Sequence, residues 1–210
     1  MQPYDHAKMT IAVAFGLLIA AICAFPAKAE GPTFYAGVHL GVVSTNSELA
    51  AAPFGIDGLG ANGKIAGVHG GVDFAIPDTA LFAGPIARYT FSDAEFSVSP
   101  GIFSAKIKNS YSLGARAGVK VGDAKPYILI AYTSADLDWT SIAPLPAAPD
   151  LKGLSLGIGL DLPIKASGLV FGIEGVWTQF KEQTIVSPLT MQTDSLEVML
   201  RMSFALGMPK

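Results

Sequence analysis

The chain runs to 210 residues, enough for one domain with a sizeable core. Half of it is hydrophobic, only 15% is charged, and 23 residues are glycine. A formal charge of −3 with no basic run offers nucleic acid no footprint, and a single cysteine rules out a disulfide framework.

Part of the hydrophobicity belongs to the N-terminus. Residues 9–25 form an almost unbroken apolar run, with Lys8 before it and Pro26 and Ala27-Lys28-Ala29 after it. This is the anatomy of a secretory signal peptide, so residues 1–29 are expected to be removed before Glu30, leaving 30–210 as a single β-barrel domain. The competing reading is an uncleaved anchor, but Pro26 and the A-x-A site end the run where a signal peptidase acts. Cys23 has Ala20 three residues before it and Ile22 just before it, which does not match a lipoprotein signal. Removing Asp5, Lys8 and Lys28 leaves 16 acidic and 12 basic residues and no cysteine.

Beyond Glu30 no stretch approaches the ~18–20 apolar residues of a membrane helix, and no helical period is sustained. Short alternating segments divided by turn residues predict strands instead. Residues 34–43 set Phe34, Ala36, Val38, Leu40 and Val42 against Tyr35, Gly37, His39, Gly41 and Val43. A polar, glycine-rich connection follows over 44–63. Residues 64–75 set Ala66, Val68, Gly70, Val72 and Phe74 against Gly67, His69, Gly71 and Asp73, and Pro77-Asp78 marks a tight turn. Residues 81–91 set Ala83, Pro85, Ala87, Tyr89 and Phe91 against Gly84, Ile86, Arg88 and Thr90. Pro85 has no amide to donate to a ladder, so a bulge is expected there.

A second long connection spans 92–110. Residues 111–121 then alternate Tyr111, Leu113, Ala115, Ala117, Val119 and Val121 with Ser112, Gly114, Arg116, Gly118 and Lys120. A short hairpin turn over 122–125 leads to residues 126–139, which begin apolar on both faces. Asp136 and Asp138 near the end favour a phase with Tyr127, Leu129, Ala131, Leu137 and Trp139 together on the apolar face. The third long connection is 140–150. Residues 151–164 alternate most cleanly: Leu154, Leu156, Ile158, Leu160, Leu162 and Ile164 oppose Gly153, Ser155, Gly157, Gly159, Asp161 and Pro163. Residues 169–181 set Leu169, Phe171, Ile173, Gly175 and Trp177 against Val170, Gly172, Glu174, Val176 and Thr178. After a fourth long connection, 182–194, residues 196–206 set Leu196, Val198, Leu200, Met202, Phe204 and Leu206 against Glu197, Met199, Arg201, Ser203 and Ala205.

Eight strands of about ten residues suit a transmembrane barrel, whose tilted strands need ~9–11. The connections alternate long and short, as short periplasmic turns and long extracellular loops would. The fold class is therefore all-β, an eight-stranded antiparallel up-and-down transmembrane barrel. A soluble lipocalin-like barrel is the alternative. It would turn Leu154, Leu156, Ile158, Leu160 and Leu162 to its lumen and leave Gly157, Gly159 and Asp161 to water. The weaker faces of the fourth, sixth and seventh strands carry too little charge for that. In the membrane reading Tyr35, Tyr89, Tyr111, Tyr127, Trp139 and Trp177 near strand ends are interfacial aromatics. The lumen receives His39, His69, Asp73, Arg88, Arg116, Lys120, Asp136, Asp138, Asp161, Glu174, Glu197 and Arg201. Unpaired charge in a narrow lumen is costly, so a network is expected, with Glu174 on Arg201 and Glu197 on His39 across the closing seam.

Three stretches carry a resemblance: Phe34-Tyr35-Ala36-Gly37-Val38-His39-Leu40-Gly41, Ser112-Leu113-Gly114-Ala115-Arg116-Ala117-Gly118-Val119 leading to Lys125-Pro126-Tyr127, and Phe171-Gly172-Ile173-Glu174-Gly175-Val176-Trp177. In these the chain resembles the small outer-membrane β-barrels of Gram-negative bacteria. These include the OmpA transmembrane domain, the OmpX and opacity-protein type, and the porin-like surface antigens of alphaproteobacteria. The resemblance implies residence in the cell outer membrane, with lipid, lipopolysaccharide and the outer-membrane assembly machinery as partners. That machinery reads a terminal aromatic in these proteins; Phe204 fills the place here, although residues 205–210 follow it.

The role expected is structural and surface-antigenic, supporting envelope integrity and presenting loops 44–63, 92–110, 140–150 and 182–194 to an extracellular ligand. The alternative is a small porin-like pore for ions or small solutes. No enzyme signature, metal cluster or phosphate loop is found, and no cofactor is expected; His39 and His69 sit in no recognisable Ser/His motif.

Overall fold

Alternation of bulky apolar residues with glycine and polar groups commits nearly every segment to a pleated strand. The computed structural model describes residues 31–51, 54–99, 103–141, 148, 150–164, 167–186 and 189–206. The expected signal peptide and the tail after Leu206 lie outside them. Among the described residues ten strands are formed: β1 (Thr33–Ala51), β2 (Phe54–Ala75), β3 (Leu81–Ser92), β4 (Glu95–Ser99), β5 (Phe103–Val119), β6 (Lys125–Ser141), β7 (Leu151–Pro163), β8 (Leu169–Phe180), β9 (Gln183–Val186) and β10 (Leu189–Leu206). All pair antiparallel, in the order β1-β10-β8-β7-β6-β5-β3-β2, and β2 returns to β1. The wall is therefore a closed eight-stranded barrel without a free edge along its span. The short β4 and β9 sit at the end with the long connections, on β5 and β10.

The opposite end is closed by tight turns. Asp78 takes a left-handed φ of 58° between β2 and β3, where Ile76 N–H donates to Leu81 O at 2.9 Å. Gly122, at φ 61°, turns β5 into β6 beneath a Val121–Ala124 bridge. Pro85 causes no bulge. Paired positions pass from Gly71–Ile86 to Phe74–Ala83 in one register, omitting only the two rungs where its missing amide falls. The register shifts lie elsewhere, at Ser47/Leu49, Ser97/Ser99, Ile107/Ser110 and Leu189/Thr190, all near the long-connection end.

The long connections are largely continued ladder. The 44–63 stretch is mostly the upper parts of β1 and β2, 92–110 holds β4 and the start of β5, and 182–194 holds β9 and the start of β10. Of 140–150, residues 142–147 and 149 lie outside the described set. Pairing continues because the inner face stays apolar beyond the belt. Val43, Ala61, Ile65, Ala94, Leu137 and Leu151 close over one another there.

The bulky apolar face points outward. Leu40, Ile128, Ile158 and Leu200 are all more than 60% exposed, in a band that extends around the wall. A soluble protein does not expose a band of that extent. In lipid it is the required solvent-facing surface, and barrel closure satisfies the backbone.

β6 reverses the expected phase. Tyr127, Leu129, Ala131 and Leu137 point inward and are buried, whereas Ile128, Ile130 and Tyr132 point outward. Asp136 and Asp138 are exposed on the outer side, not in the lumen. They lie where β6 pairs with the start of β5, beyond the end of β7 at Leu151. There the outer face meets water, and an outward carboxylate costs little.

Candidate functional site

Among the described residues, buried charged side chains converge in the barrel interior. Its inner face is rich in glycine, and the register shows what several of these glycines do. A side chain on one strand crosses a glycine on the next to reach a partner on the third. Tyr127 of β6 lies over Gly159 of β7 and reaches Glu174 of β8. Asp161 of β7 crosses Gly172 of β8 toward Arg201 of β10. His39 of β1 crosses Gly67 of β2 to Thr90 of β3, and His69 of β2 crosses Gly37 of β1 to Ser203 of β10. A β-carbon at Gly159 would strike the Tyr127 ring, and one at Gly67 the His39 ring. Glycine here clears room for large polar side chains to lie flat against the wall.

Nearest the tight turns, Arg116 donates from Nε and Nη2 to the two oxygens of Asp73, at 2.9 and 2.8 Å, and from Nη1 to Asp161 at 2.8 Å. Its guanidinium stacks on Tyr35, 4.0 Å from the ring centroid, and on Tyr127 at 4.8 Å. Further in, Glu174 accepts from Arg88 at 2.9 Å, from Arg201 at 2.9 Å and from the Tyr127 hydroxyl at 2.6 Å. Arg201 also donates to the Tyr127 hydroxyl and lies 3.5 Å from Asp161. Arg88 extends the chain of pairs to Glu197 at 3.4 Å. His39 meets Thr90 Oγ1 at 3.1 Å and His69 meets Ser203 Oγ at 2.7 Å, with the two imidazole rings 5.7 Å apart.

All these groups are buried, and buried charge is tolerated only with partners and further hydrogen bonds. Every guanidinium here has at least two such partners. Above them lies a layer of hydroxyls: Ser112, Thr133, Ser155 and Thr178 link at 2.8, 2.5 and 2.7 Å, and Ser47 joins Thr193 at 2.9 Å. Above the hydroxyls come the apolar residues at the long-connection end. The interior thus changes from ionic to hydroxylic to apolar along its axis. Two small cavities among these side chains hold about 10 and 20 Å³, room for roughly one water each.

His39, His69, Asp73, Arg88, Arg116, Asp161, Glu174, Glu197 and Arg201 all lie buried inside. Lys120 follows the end of β5 at the tight-turn rim and is half-buried. Glu174 meets Arg201 as expected, but Glu197 does not meet His39. The seam pairs His39 with Arg201 and Val43 with Glu197, a four-residue offset that sends Glu197 to Arg88 instead. Asp136 accepts from Asn109 at 3.3 Å and Asp138 pairs with Lys108 at 2.6 Å, both on the outer side.

Among the expected interfacial aromatics, Tyr89, Tyr111 and Trp177 do face outward, and Tyr89 pairs across strands with Tyr111. Three others are corrected. Tyr35 and Tyr127 are lumen residues, 6% and 4% exposed. Trp139 packs toward the apolar residues inside the upper barrel. Tyr35 alternates with outward Phe34 and Ala36, so its own strand's phase already pointed it inward; its nearness to a strand end misled. Phe91 faces outward as its strand's alternation predicts, whereas Tyr132 is an outward aromatic, and the hydroxyls form a layer, that the sequence reading did not single out. The layer's sequence trace is one inward Ser or Thr on each of four successive wall strands, Ser112, Thr133, Ser155 and Thr178. Among the described residues, no group of three or more His, Cys, Asp and Glu could hold a metal ion.

No protein-family model and no curated protein matches the sequence. Solved structures do match. The outer membrane protein OprG of Pseudomonas aeruginosa superposes with a TM-score of 0.50 at 10% identity, over 85% of this chain and 97% of that one. Neisserial surface protein A gives 0.46 at 14% identity, over 82% and 98%. Ail, the attachment invasion locus protein of Yersinia pestis, gives 0.39 at 14%, over 80% and 98%. At such identities the likeness speaks to fold alone. Joined to the apolar belt and the closed ladder, the likeness to OprG makes this chain an eight-stranded β-barrel of the bacterial outer-membrane type.

Proposed function

We propose that this barrel serves the outer membrane as a structural and surface-presenting protein, with its lumen acting as a plug. The observation that carries the reading is the network of buried ion pairs across the lumen. Ion pairs cross the lumen from Arg88 on β3 to Glu174 on β8, and from Arg116 on β5 to Asp73 on β2 and Asp161 on β7. Hydroxyls and then apolar side chains pack above them among the described residues. A pore needs a continuous wetted path with weak, sequential sites; this interior offers tight pairs and an apolar cap.

The long hairpins support the surface role. β1 and β2 pair out to Ala51–Phe54, and the region carries solvent-exposed Glu48, Glu95, Lys108, Asp136 and Asp138. We place this end outside the cell, as a surface for lipopolysaccharide head groups or an extracellular ligand, and the tight turns in the periplasm. The role is non-catalytic in this reading. His69 and Ser203 touch, but they are buried, and no carboxylate hydrogen-bonds His69 among the described residues.

Planar-bilayer recording of the purified barrel tests the proposal. The expected result is no stable conductance above the detergent background. Reproducible unitary steps would establish a small porin-like pore in its place.

A further inference from the structure

At the long-connection end of the outer wall, register matches lysines to carboxylates. Lys106 of β5 stands between Glu95 of β4 and Asp138 of β6, and Lys108 pairs with Asp138 at 2.6 Å. One rung breaks this pattern. The β7–β8 ladder runs through Gly153–Phe180, and beyond it Lys181 N–H donates to Lys152 O at 2.9 Å. Two lysines thus stand directly opposite each other. Both are exposed, on the face that carries Leu154 and Gln179 one rung lower. Side chains so placed have β-carbons about 4.5–5.5 Å apart, and like charges there repel. On its other side Lys152 meets Ser134 of β6, not a carboxylate. Asp136, diagonal to Lys152, takes a hydrogen bond from Asn109. Asp150 and Glu182, the carboxylates nearest along the chain, are exposed, and neither lysine forms an ion pair with a described residue.

The height of the pair along the barrel indicates what lies between the two charges. Below it the outer faces of β7 and β8 carry no ionisable residue down to Leu162 and Leu169. Trp177, four residues before Lys181 on the same face, and Tyr132, opposite Leu154, are outward aromatics. Amphipathic rings of this kind sit at head-group level. A lysine stem lies along apolar surface while its ammonium reaches the polar layer, so both ammoniums project to the depth of lipid phosphates. Two ammoniums at this spacing can both donate to one phosphate. We propose that Lys152 and Lys181 clamp one phosphate of an outer-leaflet glycolipid. The phosphate turns a repulsive rung into a favourable one and holds a lipid against β7 and β8. A glycolipid is favoured over a free phosphate ion because the apolar faces of β7 and β8 continue from the clamp to the depth of its acyl chains. The inference deepens, and rests on, the reading that puts the long hairpins outside the cell.

The test is thermal unfolding of the purified barrel in sulfobetaine micelles at fixed ionic strength, followed by heat-modifiable gel mobility. The micelles carry bisphosphorylated lipid A, carry its dephosphorylated form, or receive inorganic phosphate. Bisphosphorylated lipid A should raise the midpoint saturably, by about 3–5 °C at ten times its apparent Kd, and the other two by less than about 1 °C. Lys152→Gln and Lys181→Gln should each weaken the apparent affinity about tenfold, and Lys181→Arg should retain it. Both glutamine variants relieve a like-charge rung on an exposed face, so they fold. Lys106→Gln, outside the clamp, should keep the full response. Equal midpoints with the two forms of lipid A would overturn the proposal, as would a full response in Lys152→Gln or Lys181→Gln. An equal response to inorganic phosphate would overturn the glycolipid and leave a free anion as the occupant. Micelles have no sides, so orientation is tested apart from these midpoints. A tag in the 44–63 hairpin that antibody cannot reach on intact cells would overturn the placement of that end, and with it the outer-leaflet source.

Discussion

β6 and β7 lie side by side in one wall, paired from Lys125–Asp161 to Ala135–Leu151, yet their sequences differ in how plainly they show their faces. β7 gives its outer face to Leu154, Leu156, Ile158 and Leu162 and its inner face to Gly153, Ser155, Gly157, Gly159 and Asp161. β6 is apolar on both sides: Ile128, Ile130 and Tyr132 meet lipid while Tyr127, Leu129 and Ala131 line the lumen. The two faces of β6 do different work with similar residue types. Its inner Tyr127 is the hub on which Arg116, Arg201 and Glu174 converge, a role β7 leaves to a glycine gap and a carboxylate. Alternation therefore locates a strand, but it assigns the faces only where the two sides differ in chemistry.

The largest way to break this pairing lies on the inner face of β7. Asp161→Leu strips Arg116 of one partner and leaves a buried cation under-compensated, at an expected cost of about 3–5 kcal/mol. Reversible unfolding in detergent would read it. A loss under 1 kcal/mol would mean that water already reaches the pair.

Ile158→Arg on β7 and Ile128→Arg on β6 compare the outer faces directly. Each places a charge in the belt at a residue now 69% or 65% exposed to it, and each should cost about 2–4 kcal/mol. Equal losses support the β6 phase described here, whereas a silent Ile128→Arg would return β6 to the opposite phase.

Gly159→Ala tests the crossing that links the two strands. The new methyl group meets the Tyr127 ring, which Glu174 and Arg201 hold in place, so overpacking of about 1–3 kcal/mol is expected. Tyr127→Phe made on the Gly159→Ala background should then cost less than Tyr127→Phe alone, because the displaced hydroxyl no longer bonds. The smallest effect belongs to Asp136→Asn, outside the belt on β6. It should stay within about 0.5 kcal/mol, and a larger loss would put that carboxylate in the lumen.

Most of the barrel was legible because its signal is local. In seven of the eight wall strands the two-residue period placed each residue on its observed face, from Phe34 and Val38 in β1 to Phe204 and Leu206 in β10. The Glu174–Arg201 pair was legible for the same reason, since the two sit on neighbouring strands. What failed was longer in range. The Glu197–His39 pair needed a seam register that nothing in either strand specifies, and the true register separates them by four residues. Tyr35 and Tyr127 were judged by nearness to strand ends rather than by face, and Asp136 and Asp138 by charge rather than by height along the barrel.

By itself, then, the sequence determined the eight strands of the wall, the inside-out faces of all but β6, and the alternation of tight turns with long connections. The pleat sends successive side chains to opposite faces, and lipid demands that one of them be apolar. Only the tertiary structure decided which side chains meet across the lumen. Those contacts depend on the stagger between strands and on the glycines that let one side chain cross its neighbour. Gly159 is where both halves meet. Its place on the inner face follows from alternation alone, but only the folded barrel brings Tyr127 to lie across it.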